Sequence, residues 1–121
     1  MNNITLKEIE AFVLNKKQFE INATMKETIN QSFSFLKDFS KDKIIYGINT
    51  GFGPMAQFKI DDSELNELQY NLIRSHSSGT GNVLDDESVR AVLVARVNNF
   101  LQGNSGISYG VVEQLQLFLN K

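Results

Sequence analysis

The 121-residue chain has no cysteine and no tryptophan, and only one proline and one histidine. Without cysteine there is no disulfide frame, no thiolate nucleophile and no cysteine zinc site. One histidine leaves only carboxylates as companions for a metal, and their spacing suits helix caps, so no metal is expected. Charge of either sign is in short supply. Charged residues make up 21% and the net charge is −2, so no basic surface argues for nucleic acid or an anionic membrane as partner. No apolar run approaches the roughly twenty residues that a membrane span requires. The opening MNNITLKEIE has neither the basic start nor the apolar stretch of a secretory signal. The expectation is a cytoplasmic protein of one domain, residues 1–121, with no linker.

What is present is a hydrophobic fraction of 41%, set mostly at helical spacing. Thr5 and Glu8 have the capping-box spacing, and Ile4 and Ile9 that of a hydrophobic staple. A short helix is expected from about Leu6 to Leu14, with Ile9, Phe12 and Val13 on its apolar face. Met25, Ile29, Phe33 and Leu36 mark a second helix within residues 22–40, capped by Asn22. A third lies within residues 61–79. Asp61 and Glu64 form its expected capping box, Leu65, Leu68, Leu72 and Ile73 its stripe, and Gly79 and Gly81 its stop signals. Asp85 or Asp86 caps a fourth helix, whose face is Val89, Val92, Leu93, Val97, Phe100 and Leu101 and which Gly103 ends. A fifth begins near Ser108, with Val111, Val112, Leu115, Phe118 and Leu119 as its apolar positions. It has no stop signal before Lys121, which suggests a piece of something longer. Ile44–Ile45 and residues 57–60 are candidate short strands. The fold class is mainly α, with irregular loops between helices.

One stretch does not fit a plain helical protein. IIYGINTGFGPM, residues 44–55, holds three glycines, a tyrosine and the only proline. A phosphate-binding Walker loop would end in Gly-Lys-Ser/Thr, and this loop has Phe52, Gly53 and Pro54 there. A dinucleotide fingerprint needs a different glycine spacing between a strand and a helix. Two readings remain. In one, the glycines take positive φ in a structural loop. In the other they let the backbone approach a ligand and move as a lid carrying Tyr46. A tyrosine so placed can act as general acid or base where its surroundings favour the phenolate. His76 continues the Leu65, Gln69, Leu72 stripe to the end of the third helix. There it either interacts with the helix dipole and core or serves a site.

The sequence Tyr46-Gly47-Ile48-Asn49-Thr50-Gly51-Phe52-Gly53 resembles the tyrosine-loop signature of aromatic amino acid ammonia-lyases and aminomutases. The similarity continues through residues 68–76, Ser77-Ser78-Gly79-Thr80-Gly81, Ala95-Arg96-Val97-Asn98 and Gly103-Asn104-Ser105-Gly106, in the family's order. The stretch from Phe33 to Gly81 resembles bacterial tyrosine ammonia-lyases most, with histidine ammonia-lyases next. The resemblance implies the N-terminal helical part of the ammonia-lyase fold, in a homotetrameric enzyme that turns L-tyrosine or L-histidine into coumarate or urocanate. Tyr46 is then the acid/base that takes the β-proton. Gly53 lies against the substrate, and Ser75 and His76 belong to the pocket for its side chain. An imidazole can hydrogen-bond a phenol or another imidazole, so the pair leaves tyrosine and histidine both open.

The family's electrophile, 4-methylidene-imidazole-5-one (MIO), forms from an internal Ala-Ser-Gly, and this chain contains none. The resemblance therefore covers about the first quarter of such an enzyme, with the electrophile, the carboxylate-binding arginine and the central helices lying downstream. Taken alone, the chain is expected to be inactive. An aminomutase shares these motifs and stands as the alternative. A non-catalytic chain that binds a partner lyase subunit or a small aromatic ligand is the reading from another class.

Overall fold

A capping box at Thr5 and Glu8 opens the first helix in the computed structural model, which describes residues 4–61 and 63–121. Residues 1–3 and Asp62 lie outside the described residues. Among the described residues five helices follow one another: α1 (Leu6–Val13), α2 (Ala23–Phe39), α3 (Leu65–His76), α4 (Asp86–Leu101) and α5 (Tyr109–Leu119). A single 3-10 turn, Gly53–Met55, lies between α2 and α3. The only pairing of the β type among the described residues is one antiparallel bridge, Thr50 to Lys59.

The caps explain the boundaries. The Thr5 hydroxyl accepts from the Glu8 N–H at 3.3 Å, and the Glu8 carboxylate accepts from the Thr5 N–H at 2.8 Å. Asn22 Oδ1 accepts from the Met25 N–H at 2.9 Å at the start of α2. Asp85 Oδ1 accepts from the Ser88 N–H at 2.8 Å at the start of α4. Each bond satisfies a donor that the first turn of a helix leaves unpaired.

The chain divides into two units. The first joins the N-terminal stretch through Lys37 to Val83–Lys121. Its core is Phe12, Val13, Phe19, Ile29, Val94, Val97, Phe100, Leu101, Val112 and Leu119. Within it α4 packs against both α1 and α5. Phe12 and Phe19 meet edge to face with centroids 5.1 Å apart, the arrangement that the ring quadrupoles favour. Arg90 donates twice, from Nε and Nη2, to the Phe12 carbonyl at 3.1 and 2.9 Å. That carbonyl is in the last turn of α1, where no intrahelical donor remains. Asn98 Oδ1 accepts from the Ile4 N–H at 3.0 Å.

The second unit, Asp38–Asn82, contains the glycine loop and α3. Its buried residues, among those described, are Asn49, Thr50 and Gly51. No hydrophobic side chain in it is fully buried among the described residues.

Several expectations are corrected. Asp61 does not cap α3 through a capping box. Its carbonyl accepts from the Glu64 N–H at 2.8 Å in a separate turn, and α3 starts only at Leu65, with no side-chain cap. The helix stops at His76, three residues before Gly79, because Ser77 leaves the helical region at φ −76°, ψ 68°. No strand forms at Ile44–Ile45, and residues 57–60 contribute only the Lys59 bridge. On α4, Val89 and Val92 are exposed while Val94 is buried. That helix is apolar on several sides and is gripped by two neighbours, so no single stripe could be read from it. On α5, Val111 and Phe118 are exposed and Val112 and Leu119 are buried. The last helix does end before Lys121. Asn120 closes it, with Oδ1 accepting from the Phe19 N–H at 2.8 Å and Nδ2 donating to the Phe19 carbonyl at 2.9 Å.

Candidate active site

The four candidate residues, Tyr46, Gly53, Ser75 and His76, all fall in the second unit. The loop that carries Tyr46 is built around Asn49. Its Nδ2 donates to the carbonyls of Lys43 and Ser40 at 2.7 and 3.0 Å, and its Oδ1 accepts from the Ile45 N–H at 2.8 Å. Asn49 is only 5% exposed, so these bonds take the place of solvent. The backbone of Asn49 adds two more: its N–H donates to the Ile45 carbonyl at 3.2 Å, and its carbonyl accepts from the Ile60 N–H at 2.9 Å. Thr50, fully buried, accepts from the Gly47 N–H at 3.3 Å and donates to the Gly51 carbonyl at 2.9 Å through its hydroxyl.

Asn49 and Thr50 were not singled out individually in the sequence. The signal was an asparagine inside a glycine-rich turn, where a side-chain amide can take the place of backbone partners.

Tyr46 stands at the start of the turn that these bonds hold. Its ring meets the Phe52 ring edge to face at 6.0 Å, and the residue is 63% exposed. Among the described residues its hydroxyl makes no hydrogen bond. Gly53 follows Phe52 with φ +56°, a conformation that costs a residue with a Cβ about 1–2 kcal/mol. The space where its Cβ would stand is open. Gly51 differs: a Cβ there would be 2.5 Å from the Met55 Cβ and 3.0 Å from the Met55 carbonyl oxygen.

At the other end of the unit, Ser75 and His76 close α3. The Ser75 hydroxyl donates to the Leu72 carbonyl at 2.9 Å. His76 Nδ1 lies 2.9 Å from Ser75 Oγ and 3.0 Å from the Leu72 carbonyl oxygen. Both residues are exposed. The loop thus sets Tyr46 beside Phe52 and Gly53, and α3 sets Ser75 beside His76. No hydrogen bond or ring contact joins the two pairs among the described residues. A cleft of about 300 Å³ in this unit is lined by Ile60, Ser63, Glu64, Glu67, Leu68 and Asn71, and none of the four candidates borders it. Among the described residues no group of three His, Asp or Glu is placed to hold a metal. No helix among them is long and apolar enough to cross a membrane.

With the tyrosine loop and the Ser-His helix end in view, comparison with known proteins is informative. The family model described as "Aromatic amino acid lyase" matches residues 4–121. The chain belongs to the aromatic amino acid lyase family. A histidine ammonia-lyase from Streptococcus sanguinis is 36% identical over 120 residues, covering 98% of this chain and 23% of that protein. Among solved structures, a tyrosine aminomutase from Streptomyces globisporus superposes with a TM-score of 0.88 at 28% identity, over 98% of this chain and 23% of its own. Ergothionase from Treponema denticola gives 0.90 at 29%, over 98% of this chain and 24% of its own. The helices and loops described above are therefore those of the N-terminal part of the ammonia-lyase fold. The chain spans about a quarter of the length of the relatives it matches.

Proposed function

We propose that residues 1–121 are the N-terminal part of an aromatic amino acid ammonia-lyase, cytoplasmic and homotetrameric, that eliminates ammonia from L-tyrosine or L-histidine to give coumarate or urocanate. The observation that carries this reading is Tyr46. It is a phenol on a preformed turn, exposed and without a hydrogen-bond partner among the described residues, in a chain that matches the lyase family from residue 4 to residue 121.

The chain's own residues divide the work as follows. Tyr46 takes the β-proton of the substrate. Gly53 leaves room for the substrate where a side chain would obstruct it. Ser75 and His76 meet the polar end of the substrate side chain, which disfavours a bare phenyl ring because a desolvated polar group facing it loses its partner. MIO, when present, makes the amine a leaving group. No Ala-Ser-Gly occurs in this chain, so its residues do not fit formation of that group, which has to come from outside it. The isolated 121-residue chain is accordingly inactive.

In the longer lyase that carries these residues, Tyr46→Phe lowers turnover by roughly 10²–10⁴-fold, the range of a general acid or base, with the fold unchanged by circular dichroism. Turnover near that of the unsubstituted enzyme would exclude Tyr46 as the base. The structural likeness to a tyrosine aminomutase supports a second reading, in which ammonia is added back at the β-carbon. Product analysis separates the two: a β-amino acid as main product defeats the lyase assignment.

A further inference from the structure

His76 is the only histidine in the chain, and its surroundings constrain which ring nitrogen carries the proton. Three contacts at the end of α3 bear on it. The Leu72 carbonyl oxygen lies 3.0 Å from Nδ1 and can only accept a hydrogen bond. The Ser75 hydroxyl has one proton, and its oxygen sits 2.9 Å from that same carbonyl oxygen. Ser75 Oγ in turn lies 2.9 Å from Nδ1. With the serine proton directed to the Leu72 carbonyl, Nδ1 can bond either neighbour only by donating. A bare Nδ1 would bring its lone pair against the carbonyl lone pairs, and turning the serine proton onto Nδ1 would leave that repulsion in place.

We propose that the Leu72 carbonyl, with Ser75, holds neutral His76 in the Nδ1–H tautomer and so presents Nε2 as a hydrogen-bond acceptor. This deepens the reading given above and rests on it: if His76 meets the substrate side chain, that side chain has to donate. A phenol O–H or an imidazole N–H qualifies, and an acceptor-only group such as an aryl ether does not. Besides the pocket role given above, Ser75 is then also a positioning residue, acting through the ring of its neighbour.

The single histidine makes the test direct. A long-range ¹H–¹⁵N correlation spectrum of the ¹⁵N-labelled 121-residue chain, with the ring neutral, reports one imidazole. The expected result is a pyrrole-type shift for Nδ1 and a pyridine-type shift for Nε2. Ser75→Ala removes one of the two acceptors and moves both shifts part-way toward the averaged values of free imidazole, while Ser75→Thr, which keeps the hydroxyl, restores them. A dominant Nε2–H tautomer, or the same averaged shifts before and after the S75A change, overturns the proposal. All the contacts lie within one helical turn, so a sample in which α3 is frayed can be measured again in trifluoroethanol, with the same two outcomes deciding. The substrate assignment fails separately: an H76Q lyase with unchanged preference between tyrosine and histidine would remove His76 from the pocket even with the tautomer as expected.

Discussion

Gly51 and Gly53 are two residues apart and respond differently to an added methyl group. At Gly51 a Cβ collides with the Met55 Cβ and crowds its carbonyl. Gly51→Ala therefore has to open the 51–55 turn, and the Gly51 N–H, which donates to the Phe58 carbonyl at 3.3 Å, is expected to exchange with solvent faster. At Gly53 the site is open and only the positive φ resists, at about 1–2 kcal/mol. Gly53→Ala is expected to leave the amide spectrum of the chain nearly unchanged while lowering kcat/KM of the longer enzyme, as the role proposed for Gly53 requires. Asn49 makes a third case. Asn49→Ala removes the acceptor of the Ile45 N–H and the side-chain donor to the Lys43 and Ser40 carbonyls, three part-buried bonds that hold the loop. The expected sign is rapid hydrogen exchange at Ile45 with the α4 amides unaffected.

The helix ends separate what could be read in advance from what could not. Thr5 with Glu8, Asn22 and Asp85 were legible because a cap is a local bargain between a side chain and the next three residues. The same logic failed at Asp61 and Glu64, where an equally suitable spacing forms an isolated turn and the helix begins afterwards. Phe19 and Asn120 were illegible for a different reason. One is a core residue on a connection, and the other, at the end of α5, turns its side chain to a backbone about a hundred positions away. Such pairings belong to tertiary contact and leave no periodic trace. Of the candidate site, the tyrosine motif and the Ser-His pair stood out, while the hydrogen bonds that shape the loop around Asn49 did not.

Asp85 carries the prediction at this scale. The Ser88 N–H, and after it the Ser88 hydroxyl, bond its charged form and hold the carboxyl below its ordinary range. A folded pKa below the unfolded one means that the cap contributes fully above the ordinary carboxylate value and is lost as pH falls through the lowered one. The protection of the Ser88 amide, taken relative to the intrinsic exchange rate at each pH, should therefore fall on acidification. Asp85→Asn, which still caps, should flatten that response locally.

At the scale of the molecule, all ten buried hydrophobic residues among those described belong to the first unit, and the second is held by hydrogen bonds at Asn49 and Thr50. Regions with few buried apolar contacts open at lower free energy than packed helices. Native-state hydrogen exchange should thus rank α4, centred on Val97, as most protected, and α3 with residues 44–60 as least. Equal protection in both units would contradict this. Asn120→Ala should lower the melting temperature, since it leaves the Phe19 N–H without its acceptor and the Phe19 carbonyl with Gln116 Nε2 as its remaining donor.

Every candidate catalytic or recognition residue lies on the unit without a hydrophobic interior, and this has a consequence for how such a protein diversifies. On the roles proposed for Ser75 and His76, substitutions there redirect chemistry without disturbing the packing around Val97. Saturation mutagenesis there should yield many variants that express and melt normally yet prefer different substrates, so that selectivity drifts while the scaffold is inherited unchanged.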